Sequence, residues 1–251
     1  MQFLLKKISV IAVAIPFFAV ALLTSCGEDT SPTGAKETYP FTVTFGTHSS
    51  VVNLGELTKY TIENEETVKL SELVDTSIVT ESCNYAYRLI GEDGFFANSK
   101  GSPDNTWEHI QAGYIVLSTM SVSFDPSLKL INRYNIKDVA EMAILRKIDF
   151  ITPADSLIQF VIDDLTTEAF EDSLTGISLT EFIPSDVLGK PSSYSYNLVA
   201  ADNFSQTITY EQLLEGYYVL EEDRVLYRNI EISNKCKIKQ LNRIIAINSQ
   251  E

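Results

Sequence analysis

The sequence predicts an α+β fold: two tandem, homologous β-rich units with short helices, placed after an N-terminal export segment and a flexible tether. Three observations carry this prediction. The first 25 residues hold two lysines, no acid and a long apolar run. Three blocks of sequence recur in the same order roughly a hundred residues apart. Within each copy, alternating tyrosine and aliphatic positions run into Gly- or Asn-bearing turns, which is strand and hairpin patterning.

Lys6 and Lys7 open the export segment, and an apolar stretch follows from Ile8 to Leu23. A basic start, an apolar middle and a small-residue exit describe a cleaved signal peptide (residues 1–25) better than a membrane-spanning helix. The exit, Leu23-Thr24-Ser25-Cys26, resembles the lipobox of bacterial lipoproteins. That resemblance implies cleavage before Cys26, acylation of Cys26 with palmitate-type chains and attachment to a lipid bilayer. Several acyl chains on one residue anchor stably where a single chain is marginal. Gly27 does not look like an inner-membrane retention residue, so the expected location is the bacterial cell envelope at the outer membrane, with either face open. Residues 26–39 are polar, with Gly, Pro and Thr and no apolar periodicity, as a tether requires.

Internal self-similarity organises the rest. Val68–Val74 (VKLSELV) matches Ile177–Ile183 (ISLTEFI), 109 residues on. At the same offset YAYRLIGEDGF (85–95) matches YSYNLVAADNF (194–204), with five identities in eleven. WEHIQAGYIVL (107–117) then matches YEQLLEGYYVL (210–220), again with five, at an offset of 103. The six extra residues of the first copy fall in a Gly/Ser/Pro/Asp loop within Phe96–Thr106. The repeat units are therefore 40–150 and 151–251, each of ordinary domain size.

Each unit reads as a short helix, a strand, a turn, a second short helix and further strands. Ser178-x-x-Glu181 is a capping-box pattern placing a helix before Pro184, and Leu70–Leu73 is its counterpart. The Tyr85 and Tyr194 segments are strands, followed by tight turns at Asp93-Gly94 and Asp202-Asn203, where Gly and Asn tolerate positive φ. Thr209-Tyr210-Glu211-Gln212 starts a helix that stops at Gly216, and Thr106–Gly113 corresponds to it. Strand-like sequence follows at Tyr114–Phe124 and Tyr217–Ile232. Alternating strands close the units at Val139–Phe150 and Cys236–Ile247.

Charge narrows the partners. Thirty-four acids face 19 bases, and removal of residues 1–25 takes away two of those bases, leaving a net −17. Such a chain is a poor match for nucleic acid or an anionic membrane face. Two histidines and three cysteines are too few for a multi-zinc protein, and no G-x-S-x-G, H-E-x-x-H, Walker or dinucleotide motif occurs. With Cys26 acylated, Cys83 and Cys236 are the remaining thiols. They are candidates for one disulfide closing about 150 residues, or for two separate buried thiols. A catalytic cysteine needs a base, and neither His48 nor His109 lies in a nucleophile motif. His109 reads as a lone, partly exposed side chain. Trp107 and Tyr210 read as helix-to-sheet packing, with a stacking platform for sugar or peptide as the alternative. Asp93, Asp104, Asp163 and Asp164 form no calcium loop. Asp163-Asp164 and Glu221-Glu222-Asp223 read as solvated surface acids.

The Leu-Ser-Glu-Leu helix, the Tyr-x-Tyr strand, the Asp-Gly-Phe turn, the second helix and Gly-Tyr together resemble part of the sulfite-oxidase-type molybdopterin-binding domain. The likeness covers roughly 65–149 and 175–248, once per unit. It implies that fold and, in active members, molybdenum held by a cysteine thiolate. Cys83 is the only thiol that fits, with Ser192 opposite it and Tyr194 opposite Tyr85. The Asn84-Tyr85-Ala86-Tyr87-Arg88 sequence after Cys83 lacks the small-residue and arginine character of a pterin site. The expected function is therefore a membrane-tethered, non-catalytic binding or structural module with no cofactor, presented to an envelope protein, peptide or glycan. A molybdopterin-dependent oxidoreductase, or an inactive relative, is the alternative.

Overall fold

Phe41 and Val43 alternate with half-exposed threonines in the first strand, so one face of it enters a core while the other stays wet. That strand begins the part of the chain that the computed structural model describes, residues 38–100, 103–171 and 173–248. The signal peptide, Cys26 and all but the last two residues of the tether lie outside the described residues. Strand makes up 43% and helix 22% of the described residues, so the fold is β-rich, with short helices and several sheets.

The first half runs β1 (Pro40–Phe45), β2 (His48–Asn53), β3 (Tyr60–Ile62), β4 (Glu65–Lys69), β5 (Tyr85–Gly91), α1 (Trp107–Ala112), β6 (Gly113–Val116), β7 (Ser121–Phe124) and β8 (Val139–Ile151). The second half runs β9 (Leu157–Val161), β10 (Glu168–Ala169), β11 (Thr175–Ser178), α2 (Ser185–Leu188), β12 (Tyr194–Ala200), β13 (Ser205–Ile208), α3 (Tyr210–Leu214), β14 (Gly216–Val219), β15 (Arg224–Tyr227) and β16 (Leu241–Asn248). Two small antiparallel sheets have the same plan, β3-β4-β6-β7 and β10-β11-β14-β15. The remaining strands form one eight-stranded sheet.

β8 joins the two halves of that large sheet. Its first part pairs with β5 antiparallel and with β1 in parallel. From Lys147 onward it forms a hairpin with β9 and pairs with β16 in parallel. One strand thus closes the first half and opens the second, and residue 150 lies inside it. The pairing details repeat: Tyr85 faces Arg146 and Tyr194 faces Asn248, with a register shift at Ile90/Gly91 and another at Val199/Ala200. Each half nevertheless keeps its own buried cluster, around Phe41, Tyr87 and Met142 in one and Phe150, Tyr196 and Ile244 in the other.

Local chemistry explains the repeated elements. Thr106 and Thr209 both form capping boxes, with His109 and Gln212 as reciprocal partners. Tyr87 donates to Ser82 O at 2.9 Å and Tyr196 to Pro191 O at 2.8 Å, so two buried phenols are satisfied in the same way. Burial pushes Tyr87 up to about 12.

Four expected elements differ. Tyr114–Phe124 and Tyr217–Ile232 hold strands as their strand-like sequence suggests, but each folds back as a hairpin, reversing before left-handed Met120 (φ 47°) and Asp223 (φ 49°). No glycine marks either reversal, which is why the sequence reads through it. Residues Asn234–Cys236 are a 3-10 turn, and β16 starts only at Leu241. Ser178 caps a single 3-10 turn, Leu179–Phe182, by accepting from Thr180 N rather than closing a box with Glu181.

Candidate functional site

The Asp-Gly-Phe and Asp-Asn-Phe turns build the same concavity twice. Asp93 Oδ1 accepts from Phe95 N and Asp202 Oδ1 from Phe204 N, both at 2.9 Å. Gly91 N donates to Phe95 O and Ala200 N to Phe204 O, and Gly94 (φ 77°) and Asn203 (φ 67°) take the left-handed position. A second bond fixes each turn against the segment before the closing strand: Glu92 N to Asp138 O at 2.8 Å, Ala201 N to Gln240 O at 2.9 Å.

That opposing segment is also duplicated. Ile136 and Ile238 are buried, and their carbonyls accept from Val122 N and Val225 N. The flanking residues therefore turn outward, Asn135 and Lys137 in one copy, Lys237 and Lys239 in the other. A groove of about 570 Å³ results in the first half, between Phe95 and the Asn132–Lys137 segment. Its equivalent in the second half, between Phe204 and Asn234–Lys239, has about 400 Å³. Sequence reasoning missed these residues. The signal was Asn-Arg-Tyr-Asn-Ile-Lys (132–137) against Asn-Lys-Cys-Lys-Ile-Lys (234–239), a fourth repeated block at an offset of 102.

A third, smaller cavity of about 230 Å³ lies between the halves, where Arg146 and Lys147 of β8 meet Glu81, Tyr85, Tyr218 and Asp223. Asp202 lines this cavity and the neighbouring groove alike. Tyr218 donates to Asp223; burial first, then this bond and the carboxylate charge, push the phenol well above its ordinary value. Burial likewise raises Tyr85. Lys147 is committed to Asp149 at 2.5 Å, both largely buried, and Asp149 Oδ1 has no hydrogen-bond partner among the described residues.

The other sequence-selected residues fall into place around these features. Arg88 grips buried Asp104 through Nε and Nη2 (3.0 and 2.8 Å) and Asp164 through Nη2 and Nη1 (2.5 and 3.2 Å). Burial opposes its charge, but the bonds to both aspartates outweigh that and hold the guanidinium protonated. Asp164 and Asp223 are thus engaged, not merely solvated. Asp163 and Glu222 are exposed, and exposed Glu221 accepts from Thr175 N. Among the described residues no group of three or more His, Cys, Asp or Glu is arranged to hold a metal ion.

His48 is exposed on β2. His109 is half-buried, edge-on to Phe124 and Tyr134, and burial lowers its pKa. Trp107 packs on Tyr87 at 5.7 Å and Tyr210 on Tyr196 at 6.4 Å, which is helix-to-sheet packing in both halves. Both thiols are free: Cys83 is exposed in the Ser82–Asn84 turn, and Cys236 is buried, its pKa raised by burial. Ser192 occupies the matching turn, Pro191–Ser193. No protein-family model, curated protein or solved structure matches the chain.

Proposed function

We propose that the chain is a bacterial envelope lipoprotein, tethered to the outer membrane through acylated Cys26, whose two homologous units form a non-catalytic binding module. The observation that carries the binding half of this reading is the duplicated groove: one backbone arrangement, held by the same bonds, is lined by different side chains in each copy. A purely structural repeat would have no need to keep two solvent-open concavities of ligand size. The tether rests on the Leu23–Cys26 lipobox and the polar residues after it.

Molybdopterin chemistry is the less well supported reading. The cavity beside the Cys83 turn carries Glu81, Asp202 and Asp223 against Arg146 and a Lys147 already paired with Asp149, so a phosphate-bearing pterin would meet more acid than available base. These residues do not fit that cofactor. Stoichiometric molybdenum in the purified chain, lost on Cys83→Ser, would reverse this judgement.

The test for binding is photocrosslinking in the native envelope, with a benzophenone amino acid at Asn203 or Glu92, on the groove turns, and at exposed Val187 of α2 as control. A discrete adduct from a groove position and none from 187 is expected. Absence of an adduct from both grooves would overturn the binding reading. Labelling with radioactive palmitate, lost in Cys26→Ser, checks the tether.

A further inference from the structure

The two grooves share a frame but have opposite charge. In the first, Glu92, Asp93 and Asp138 outnumber Arg133 and Lys137. In the second, the matching positions of Glu92 and Asp138 are Ala201 and Gln240, and Asn135 has become Lys237. Arg224 is added from β15, so four bases, Arg224, Lys235, Lys237 and Lys239, now face the single acid Asp202. In a chain with twice as many acids as bases after the signal peptide, this is a marked local reversal of sign.

None of the four bases is ion-paired with a carboxylate among the described residues. The Arg224 Nε is buried and has no hydrogen-bond partner among them. Like charges lining one groove repel one another unless something neutralises them. The rim holds a further feature: Phe204 is 48% exposed, although it is a large apolar side chain in a turn that needs no aromatic for its geometry.

We propose that this second-half groove binds an acidic sugar, a saccharide bearing carboxylate or phosphate groups. The cations take the anionic groups, lysine acting as a point charge and arginine as a fork. The Phe204 ring covers the apolar C–H face of the sugar ring. An inorganic ion would use the cations and leave Phe204 in water. A membrane surface or nucleic acid duplex would need a broad basic face, and the chain as a whole is strongly acidic. A volume of about 400 Å³ suits one to a few sugar rings. The inference rests on the binding-module reading and assigns that module its ligand chemistry.

The test is calorimetric titration of the full-length lipidated chain in neutral detergent. The probes are trigalacturonate for carboxylate and fructose 1,6-bisphosphate for phosphate. Maltotriose, inorganic phosphate, tetraglutamate and glycerol 3-phosphate, a soluble lipid headgroup, are the comparisons. At least one acidic sugar is expected to bind more tightly than every comparison, and more weakly at high salt. K237E/K239E should weaken that binding about tenfold or more, Phe204→Ala should weaken it, and Lys137→Glu in the first groove should leave it unchanged. The single exposed substitution Lys239→Gln, with circular dichroism, guards against misfolding. The proposal falls if neither acidic sugar binds, if affinity survives K237E/K239E, or if phosphate, tetraglutamate or glycerol 3-phosphate binds as tightly. A failed titration with the Asn203 crosslink intact would remove the sugar and leave the binding module standing.

Discussion

Arg88 and Asp164 are 76 residues apart in sequence and meet through two parallel contacts, Nη2–Oδ2 at 2.5 Å and Nη1–Oδ1 at 3.2 Å, across the junction of the halves. The same guanidinium neutralises Asp104, whose side chain is 1% exposed, whereas that of Asp164 is 43% exposed. The two aspartates therefore differ in what they risk. Arg88→Leu strands a buried carboxylate and should cost about 3–5 kcal/mol in urea denaturation. Asp164→Asn removes a partly solvated partner and should cost about 0–1 kcal/mol. Equal losses would contradict this assignment of roles.

Gly113 and Gly216 give a second comparison between the halves. A Cβ at Gly113 would lie 2.6 Å from Leu70 Cδ1 and 2.7 Å from a Phe124 ring carbon; at Gly216 it would lie 2.6 Å from Leu179 Cδ1 and 3.2 Å from Tyr227. Both leucines are fully buried. Overpacking of this kind typically costs about 1–3 kcal/mol. Gly113→Ala should fall nearer the upper end than Gly216→Ala, because two neighbours must move. Melting temperatures of the two variants give the order.

His109 makes the first half sensitive to pH. Its Nδ1 accepts from Thr106 N, which requires the neutral ring, and burial lowers its pKa from the ordinary 6.5, against the opposing pull of Glu108. The unfolded chain then binds the extra proton more readily than the folded one. Stability from this group is fully present above pH 6.5 and declines as pH falls from there toward the folded value. His109→Gln, which installs the residue found at Gln212, keeps the capping acceptor and should flatten the slope of melting temperature against pH in that window. An unchanged slope would assign the effect elsewhere.

Lys147 and Asp149 form an isolated buried pair on one face of β8. Removing either partner alone leaves an uncompensated charge, at about 3–5 kcal/mol, while an apolar replacement of both is often neutral or stabilising. Lys147→Met and Asp149→Leu should therefore each destabilise strongly. The double variant should recover most of the loss, a positive coupling readable from denaturant midpoints.

What could be read in the sequence was local. The Asp93-Gly94 and Asp202-Asn203 turns, the Thr106 and Thr209 caps and the tyrosine-rich strands all follow from neighbours within a few residues. Four features stayed hidden for different reasons. The shared role of β8 depends on pairing with β1 and β16, about a hundred residues away on either side. The Met120 and Asp223 reversals use left-handed non-glycine residues, which carry no turn signature. The groove-lining block at 132–137 and 234–239 keeps only Asn, Ile and Lys identical, and one copy of it carries the groove's reversal of sign. The Arg88–Asp164 contact could not be read either, because Asp164 in isolation looks like any surface acid.

Because β8 passes from one half to the other without a linker, and β16 behind the second groove pairs directly with it, both grooves hang from one continuous sheet. A flexible connection would let two sites search for their targets independently. On the proposed reading, a ligand long enough to reach both grooves would meet the second at a fixed spacing and with unlike charge.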